Sequence, residues 1–193
     1  MSLPAPPFSV TEAAVLVKVS IPAPPNTDEF APFIRPNQYV NYYTDSAAVL
    51  KAEELCKGIT ENLDKVKAVY EFVIANVTYH KGKDSTVKSG YLPDVDDTLA
   101  TGKGICFDYA ALMAAMLRSQ GVPVKLIVGY AGQAYHAWIN VYSETEGWVN
   151  AAIYFNGTEW KLMDPTFASS SGESDAVMKY IGDGKNYTVK YQY

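Results

Sequence analysis

The stretch from Ile105 to Pro123 limits the fold more than any other part of the sequence. Cys106, Ala110, Met113, Ala114 and Leu117 fall at i, i+4, i+7, i+8 and i+11, which places them on one face of a helix. Gly121 ends that helix and Pro123 prevents its resumption. The apolar period then changes from that of a helix to that of a strand. Val124 to Tyr130 and Tyr135 to Tyr142 read as strands, the second with His136, Trp138, Asn140 and Tyr142 on one face. Glu159 to Met163 reads as a third, with Trp160, Leu162 and Asp164 aligned. The links between these strands are short and turn-rich, and Asn156-Gly157 is a hairpin signal. The strands are therefore expected to run antiparallel, with 135–142 beside 159–163. A last strand is expected at the end, where Tyr187, Val189, Tyr191 and Tyr193 alternate with Thr188, Lys190 and Gln192.

The sequence before this stretch is mostly helical. Ser46 offers an N-cap for a helix to about Lys57, stopped by Gly58. Val66, Val69, Tyr70, Val73 and Ile74 give a second helix an apolar face, backed by Lys65, Lys67 and Glu71, and Asn76 ends it. Tyr79 to Thr98 reads as a long polar loop with Gly82, Gly90 and Pro93, and a loop of that length is often functional. Ala13 to Ile21 reads as a strand, residues 22–38 as a proline-punctuated connector, and Gln38 to Tyr43 as a short strand or a surface strap. A short helix is expected from about Asp175 to Ile181. The domain reading is an N-terminal extension over 1–45 and a catalytic domain over 46–193, in one globular unit.

The chemistry follows from where three side chains fall. Cys106 sits in the first turn of its helix, where unpaired backbone N–H groups and the positive end of the dipole favour a thiolate. His136 opens a strand, and Asp164 closes another that is expected to lie alongside it. A thiol, an imidazole and a carboxylate in that order can serve as nucleophile, general base and the group that orients the base. The first-turn N–H groups can also hold an oxyanion, and Lys103 adds positive potential. Taken singly, each signal has an ordinary reading. A cysteine on an apolar helix face is usually a structural thiol, which is the reading for Cys56. A histidine before Ala-Trp is usually packing, and Asp-Pro-Thr is a turn signal. The weight lies in the three together, in a chain with only two cysteines and two histidines.

The run Asp97-Thr98-Leu99-Ala100-Thr101-Gly102-Lys103-Gly104-Ile105-Cys106-Phe107-Asp108-Tyr109-Ala110 resembles the transglutaminase-like superfamily. So do Leu117-Arg118-Ser119-Gln120-Gly121-Val122-Pro123-Val124, Gly129-Tyr130, His136-Ala137-Trp138 and Asp164-Pro165-Thr166. The resemblance covers roughly residues 46–167, and Val77-Thr78-Tyr79 fits the family's approach to the catalytic region. It implies a papain-like α+β fold, with the nucleophile helix packed against an antiparallel β-sheet. It implies Cys106 as nucleophile, His136 as base and acid, and Asp164 as orienting residue. It leaves the reaction open, since members cross-link or deamidate glutamine, cleave peptide bonds or release N-linked glycans, and some are inactive. The reading adopted is a peptidase- or amidase-type cysteine hydrolase acting on a protein or peptide. A transglutaminase is the first alternative and a catalytically silent peptide- or glycan-binding module the second. The second oxyanion donor is unassigned, with Tyr91 and Gln133 as candidates. Trp138 and Trp160 are candidates for lining a substrate tunnel.

Other chemistries fit poorly. The net charge of −5 comes with no basic stripe, which argues against nucleic acid as a partner. No apolar run is long enough for a membrane helix. His80 and His136 stand far apart, and no Cys-x-x-Cys or His-Glu-x-x-His pattern is present, so neither a metal nor a cofactor is expected. Asp94, Asp96 and Asp97 lack the glycine and glutamate of a calcium loop and read as a solvated acidic loop. Asn76-Val77-Thr78, Asn156-Gly157-Thr158 and Asn186-Tyr187-Thr188 match glycosylation sequons, which matter only in a secreted eukaryotic protein. Cys56 and Cys106 are a possible disulfide by count alone. Met1-Ser2-Leu3 ahead of Pro4-Ala5-Pro6-Pro7 reads as an artificial start on a truncated N-terminus. Fifteen tyrosines suit a bacterial exported or cell-surface protein whose signal has been removed, while compartment and oligomeric state stay open.

Overall fold

Eleven consecutive side chains, Asp108 to Arg118, are buried on every face of one helix, α6 (Cys106–Ser119). The reason is compositional. Ala110, Ala111, Ala114 and Ala115 let neighbours approach closely, while Leu112, Met113, Met116 and Leu117 fill the space between them and are fully buried. Each of the large side chains stabilises the fold by roughly 1.5–3 kcal/mol relative to exposure. The computed structural model describes residues 29–149, the backbone of 153–155 and 160–162, Thr166, and 187–193.

Helices α2 (Ala47–Leu55), α3 (Asn62–Asn76) and α5 (Val95–Thr101) pack on α6, and the sheet strands β3 (Val124–Ala131) and β4 (Ala134–Ser143) pack against it. The sheet has four antiparallel strands in the order β5-β4-β3-β8, where β5 is Gly147–Val149 and β8 is Tyr187–Gln192. A helix flanked by helices and an antiparallel sheet is the α+β arrangement expected from the sequence. No helix among the described residues is long and apolar enough to cross a membrane.

Both ends of α6 are closed by local chemistry. At the start, Asp108 reaches back so that the Ile105 N–H donates to its Oδ2 at 2.9 Å. Gly104 precedes this turn, and a Cβ there would stand 2.7 Å from that of Asp108, so only glycine fits. At the end, Val122 N–H donates to the Leu117 carbonyl and Gly121 N–H to that of Arg118, a Schellman closure. Arg118 is itself buried. Its guanidinium donates to the Val124 carbonyl at 2.6 and 3.0 Å, to Arg35 at 2.9 Å and to Tyr193 at 2.8 Å. Burial pulls its pKa down to about 10, so it remains charged at neutral pH.

Several expectations are corrected. The segment 79–98 is not one loop. It holds the end of β1 (Thr78–Tyr79), the short helix α4 (Lys81–Asp84) and the start of α5, which leaves only the stretch around 85–94 irregular. The acidic run is helical rather than a solvated loop, because Asp94 caps α5 by accepting from the Asp96 and Asp97 N–H groups at 3.1 and 3.0 Å. Ser46 stands at the N-cap of α2 but makes no side-chain cap; Asp96 does so instead, accepting from Ala48 N–H at 2.9 Å. The described part of the connector is not all extended, since α1 (Ala31–Ile34) forms with Pro32 in its first turn, where a missing N–H costs nothing. Residues 38–43 form no strand and lie as a strap whose Val40 enters the core.

A tight turn at 144–146 folds the chain straight back, so that β5 pairs with β4 over Val141–Ser143, at the end away from His136. The later strand, β7 (Trp160–Leu162), pairs with β6 (Ile153–Phe155) across the expected hairpin. In β8 the alternation of tyrosines is broken. Tyr191 pairs with Val128 and Val189 with Gly129, so Lys190 is an extra residue in a bulge. A Cβ on Gly129 would collide with the Thr188 carbonyl oxygen, so glycine is what lets the bulged strand approach. Cys56 and Cys106 are both free thiols. The expected strand at 13–21 and helix at 175–181 lie outside the described residues.

Candidate active site

Two short devices fix the entry to α6. The two-residue strand β2 (Lys103–Gly104) pairs in parallel with β1, Thr78 opposite Lys103 and Tyr79 opposite Gly104. Lower in the helix, the Tyr109 hydroxyl donates to the Val77 carbonyl at 2.7 Å. The end of α3 and the start of α6 are thereby held together on both sides of Cys106. Cys106 is the first helical residue and is half-buried. Ile105, at the N-cap, has no side-chain acceptor to offer the first turn.

His136 comes from the other layer. It is the third residue of β4, is paired with Gly129 on β3 and is only 6% exposed. Its ring lies nearly parallel to that of Trp138, with centroids 6.1 Å apart, and 6.4 Å from that of Tyr187. Cys106 and His136 line one pocket of about 470 Å³, together with Ile105, Phe107, Tyr91 and Ala137. The helix start and the strand start thus bring the two groups to a common cavity. Asp164, the third member of the expected triad, lies outside the described residues.

The remaining candidates fall in different places. Tyr91 lines the pocket, but its hydroxyl donates to Asp108 Oδ1 at 2.5 Å. Burial and that carboxylate push the Tyr91 pKa up to about 12. Its single proton is therefore engaged in the network beneath the cysteine. Gln133 is exposed in the β3–β4 turn and is not part of the pocket lining. Trp138 is 3% exposed and packs with Ile127 and Tyr187. Trp160 is in β7, where only the backbone is described. Lys103 is exposed and borders a different cavity, with His80 and Asp97. His80 accepts from the Lys83 N–H and caps α4. Cys56 is buried, and burial raises its pKa, consistent with a structural thiol.

Asp108 was not singled out from the sequence, although its place three residues after the N-cap is a helix-start signal. It is wholly buried and carries three interactions, with Ile105 N–H, the Tyr91 hydroxyl and the Lys83 ammonium, the last at 2.8 Å. Lys83 Nζ also lies 4.6 Å over the Tyr91 ring. Burial by itself would lower the Lys83 pKa, but the hydrogen bonds with Asp108 and Tyr91 outweigh it and the value is raised. Tyr79 is raised beyond the usual phenol range, by burial first and then by the neighbouring Cys106 and Asp84.

Comparison with known proteins fits this geometry. The family model of the transglutaminase-like superfamily matches residues 51–165. The chain is 29% identical over 105 residues to the uncharacterised protein YebA of Bacillus subtilis, across 45% of this chain and 14% of that protein. It is 25% identical over 113 residues to a protein-glutamine gamma-glutamyltransferase of Pseudomonas aeruginosa, across 51% of this chain and 16% of that protein. The chain therefore spans only a small part of the length of either relative. Among solved structures, a provisionally assigned cysteine protease from Cytophaga hutchinsonii superposes with a TM-score of 0.57 at 21% identity, across 86% of this chain and 47% of that one. At that identity the likeness is one of fold.

Proposed function

The chain belongs to the transglutaminase-like superfamily, and on that premise we propose a cysteine-dependent acyl-transfer enzyme that attacks an amide carbonyl of a protein or peptide. The observation that carries the reading is the shared pocket of Cys106, at the first turn of a buried helix, and His136, on the facing strand. His136 takes the thiol proton, and Sγ bonds to the carbonyl carbon. The oxyanion forms beside the first-turn N–H groups of α6, where dipole and donors both favour negative charge. The C–N bond then breaks, and the imidazolium gives its proton to the departing nitrogen. The resulting thioester is opened by an acceptor that gives its proton to His136, and the thiol is regenerated. Asp164 is assigned from the sequence as the residue that orients His136.

Water is the favoured acceptor, which makes the enzyme a peptidase- or amidase-type hydrolase. A cross-linking enzyme must keep water from the thioester. Trp138, one of the two tryptophans that could wall a dry tunnel, is packed against Ile127 and Tyr187 instead. Amine transfer or deamidation is the second reading, favoured by the glutamyltransferase relative.

Alkylation of Cys106 by iodoacetamide across about pH 5–9, in wild type and His136→Ala, tests the acyl-transfer chemistry against a free cysteine peptide with its thiol pKa of about 8.5. Faster reaction than the peptide at the acid end, lost in His136→Ala, supports the ion pair. Peptide-like behaviour in both proteins would leave a binding module. Product masses then separate the acceptors. Peptide hydrolysis adds about 18 Da, deamidation about 1 Da, and amine transfer the amine less ammonia.

A further inference from the structure

Aromatic rings form a continuous wall around the Cys106 pocket. Tyr91 meets Phe107 edge-on with centroids 6.4 Å apart, Phe107 lies 6.2 Å from Tyr39, and Tyr39 lies 4.0 Å from Tyr193. Tyr193 stacks with Tyr191 at 6.3 Å. All five line the pocket, with Tyr135 at its edge. Tyr39, Tyr191 and Tyr193 lie outside residues 51–165, so more than half of the wall comes from segments beyond the family match.

The wall is held rigidly. Asn37 accepts from the Tyr39 and Val40 N–H groups at 2.9 and 3.0 Å, and the Val40 side chain is anchored in the core. Tyr193 exchanges two backbone hydrogen bonds with Leu126, at 2.9 and 3.0 Å. Beneath both, the Arg118 guanidinium joins the Arg35 carbonyl to that of Tyr193. The bulge at Lys190 turns Tyr191 to the same face as Val128, which also lines the pocket. Prefixed rings lose little conformational freedom when a ligand ring or alkyl chain packs on them. Among the described residues of the lining, the ionisable acid and amine are Asp84 and Lys88, which are of opposite sign.

We propose that the Tyr39–Tyr193 wall, with Phe107, is a specificity subsite that receives an aromatic or large apolar side chain of the peptide acyl donor. This deepens the acyl-transfer reading and rests on it. A donor selected for glutamine would need hydrogen-bond partners for its amide, whereas Phe107 carries no polar side-chain atom and the Tyr91 hydroxyl is engaged with Asp108.

Chloromethyl ketones of N-blocked phenylalanine, glutamine, glutamate and alanine serve as probes, with Cys106 labelling followed by peptide mass spectrometry. Each rate is divided by the iodoacetamide rate of the same protein. The phenylalanine probe is expected to label wild type about tenfold faster than the other three. That preference should collapse in Tyr39→Ala and persist in Tyr39→Phe. Tyr193→Ala, whose backbone pairing does not need the ring, gives a second truncation should Tyr39→Ala fail to fold. Equal normalised rates in wild type, or a preference that survives both truncations, would overturn the subsite alone. An iodoacetamide rate at Cys106 no different from that of a free peptide thiol, and indifferent to His136→Ala, would instead overturn the acyl-transfer reading and the subsite with it.

Discussion

Lys83 Nζ stands 2.8 Å from Oδ2 of Asp108, an ammonium one quarter exposed against a carboxylate with no exposure at all. The pair joins the 80–93 side of the pocket to the helix that begins at the candidate nucleophile. Asp108 is two residues beyond Cys106, so whatever moves this carboxylate moves the first turn.

Lys83→Met removes the cation and leaves the buried carboxylate with only the Tyr91 hydroxyl and the Ile105 N–H. Breaking one side of a buried pair costs about 3–5 kcal/mol, and partial exposure of Lys83 places this case near the lower end. Urea unfolding should show a loss of about 2–4 kcal/mol. A loss below about 0.5 kcal/mol would mean that the pair behaves as a surface ion pair.

Alkaline pH should unfold the protein through the same network. Tyr91 is raised to about 12, and Lys83 is raised as well. A group whose pKa is higher in the folded state stabilises it fully below the unfolded value and loses that contribution as pH climbs through the folded value. For Tyr91 the loss runs from about pH 10, the unfolded phenol value, to about 12. Melting temperature followed over that range should fall less steeply in Tyr91→Phe than in wild type. An identical slope would show that the phenol does not titrate with unfolding.

Arg118→Met should be among the most damaging single changes. It fills a similar volume but leaves the Val124, Arg35 and Tyr193 carbonyls without their shared donor. An orphaned buried acceptor costs roughly 1–3 kcal/mol, and three share this fate in part. A melting temperature lowered by several degrees should come with faster amide exchange in both the 35–43 strap and β8. Exchange accelerated in only one of them would show that the two segments are not held in common.

Gly129→Ala tests the close approach of β8. The added methyl would meet the Thr188 carbonyl oxygen and the Trp138 ring, the latter at 2.9 Å. Backbone cannot yield as a side-chain tip does, so the β3–β8 pairing should open. The expected loss is about 2–4 kcal/mol, with exchange protection lost first at 187–192. Protection retained there would mean that the sheet shifts as a unit to accept the methyl.

The legible parts of the fold are those with long repeats. Helices α3 and α6, and strands β3, β4 and β8, each run through enough residues for a period to be read. Helix α4 has four residues, and β5 and β6 have three each, which is too short for either period to show, whereas β7 is marked by the alternation of Trp160 and Leu162. Helix α5 was hidden because Asp94, Asp96 and Asp97 read as polar loop, whereas Asp94 is a cap and Asp96 reaches across to α2. The placement of Cys106 and His136 in one pocket followed from their positions on a helix start and a strand start. The roles of Asp108, Arg118 and Lys83 did not, because they depend on partners distant in sequence. Asp164 lies outside the described residues, and its place behind His136 is an assignment from the sequence.

The extra residue at Lys190 gives β8 something like a reading frame. On one side of it Tyr187 shares a face with Trp138, and on the other Tyr191 and Tyr193 share the face of Val128 and Leu126. A strand in which Lys190 paired regularly would send all of its alternating tyrosines to the same address. Flattening the bulge, with Tyr193 held in place and Lys190 paired in its turn, would exchange inside for outside at every position before Lys190, whereas deleting Lys190 would leave each remaining partner where it is. In β8 one unpaired residue, as much as the identity of its neighbours, decides which tyrosines share the face of Val128 and which that of Trp138.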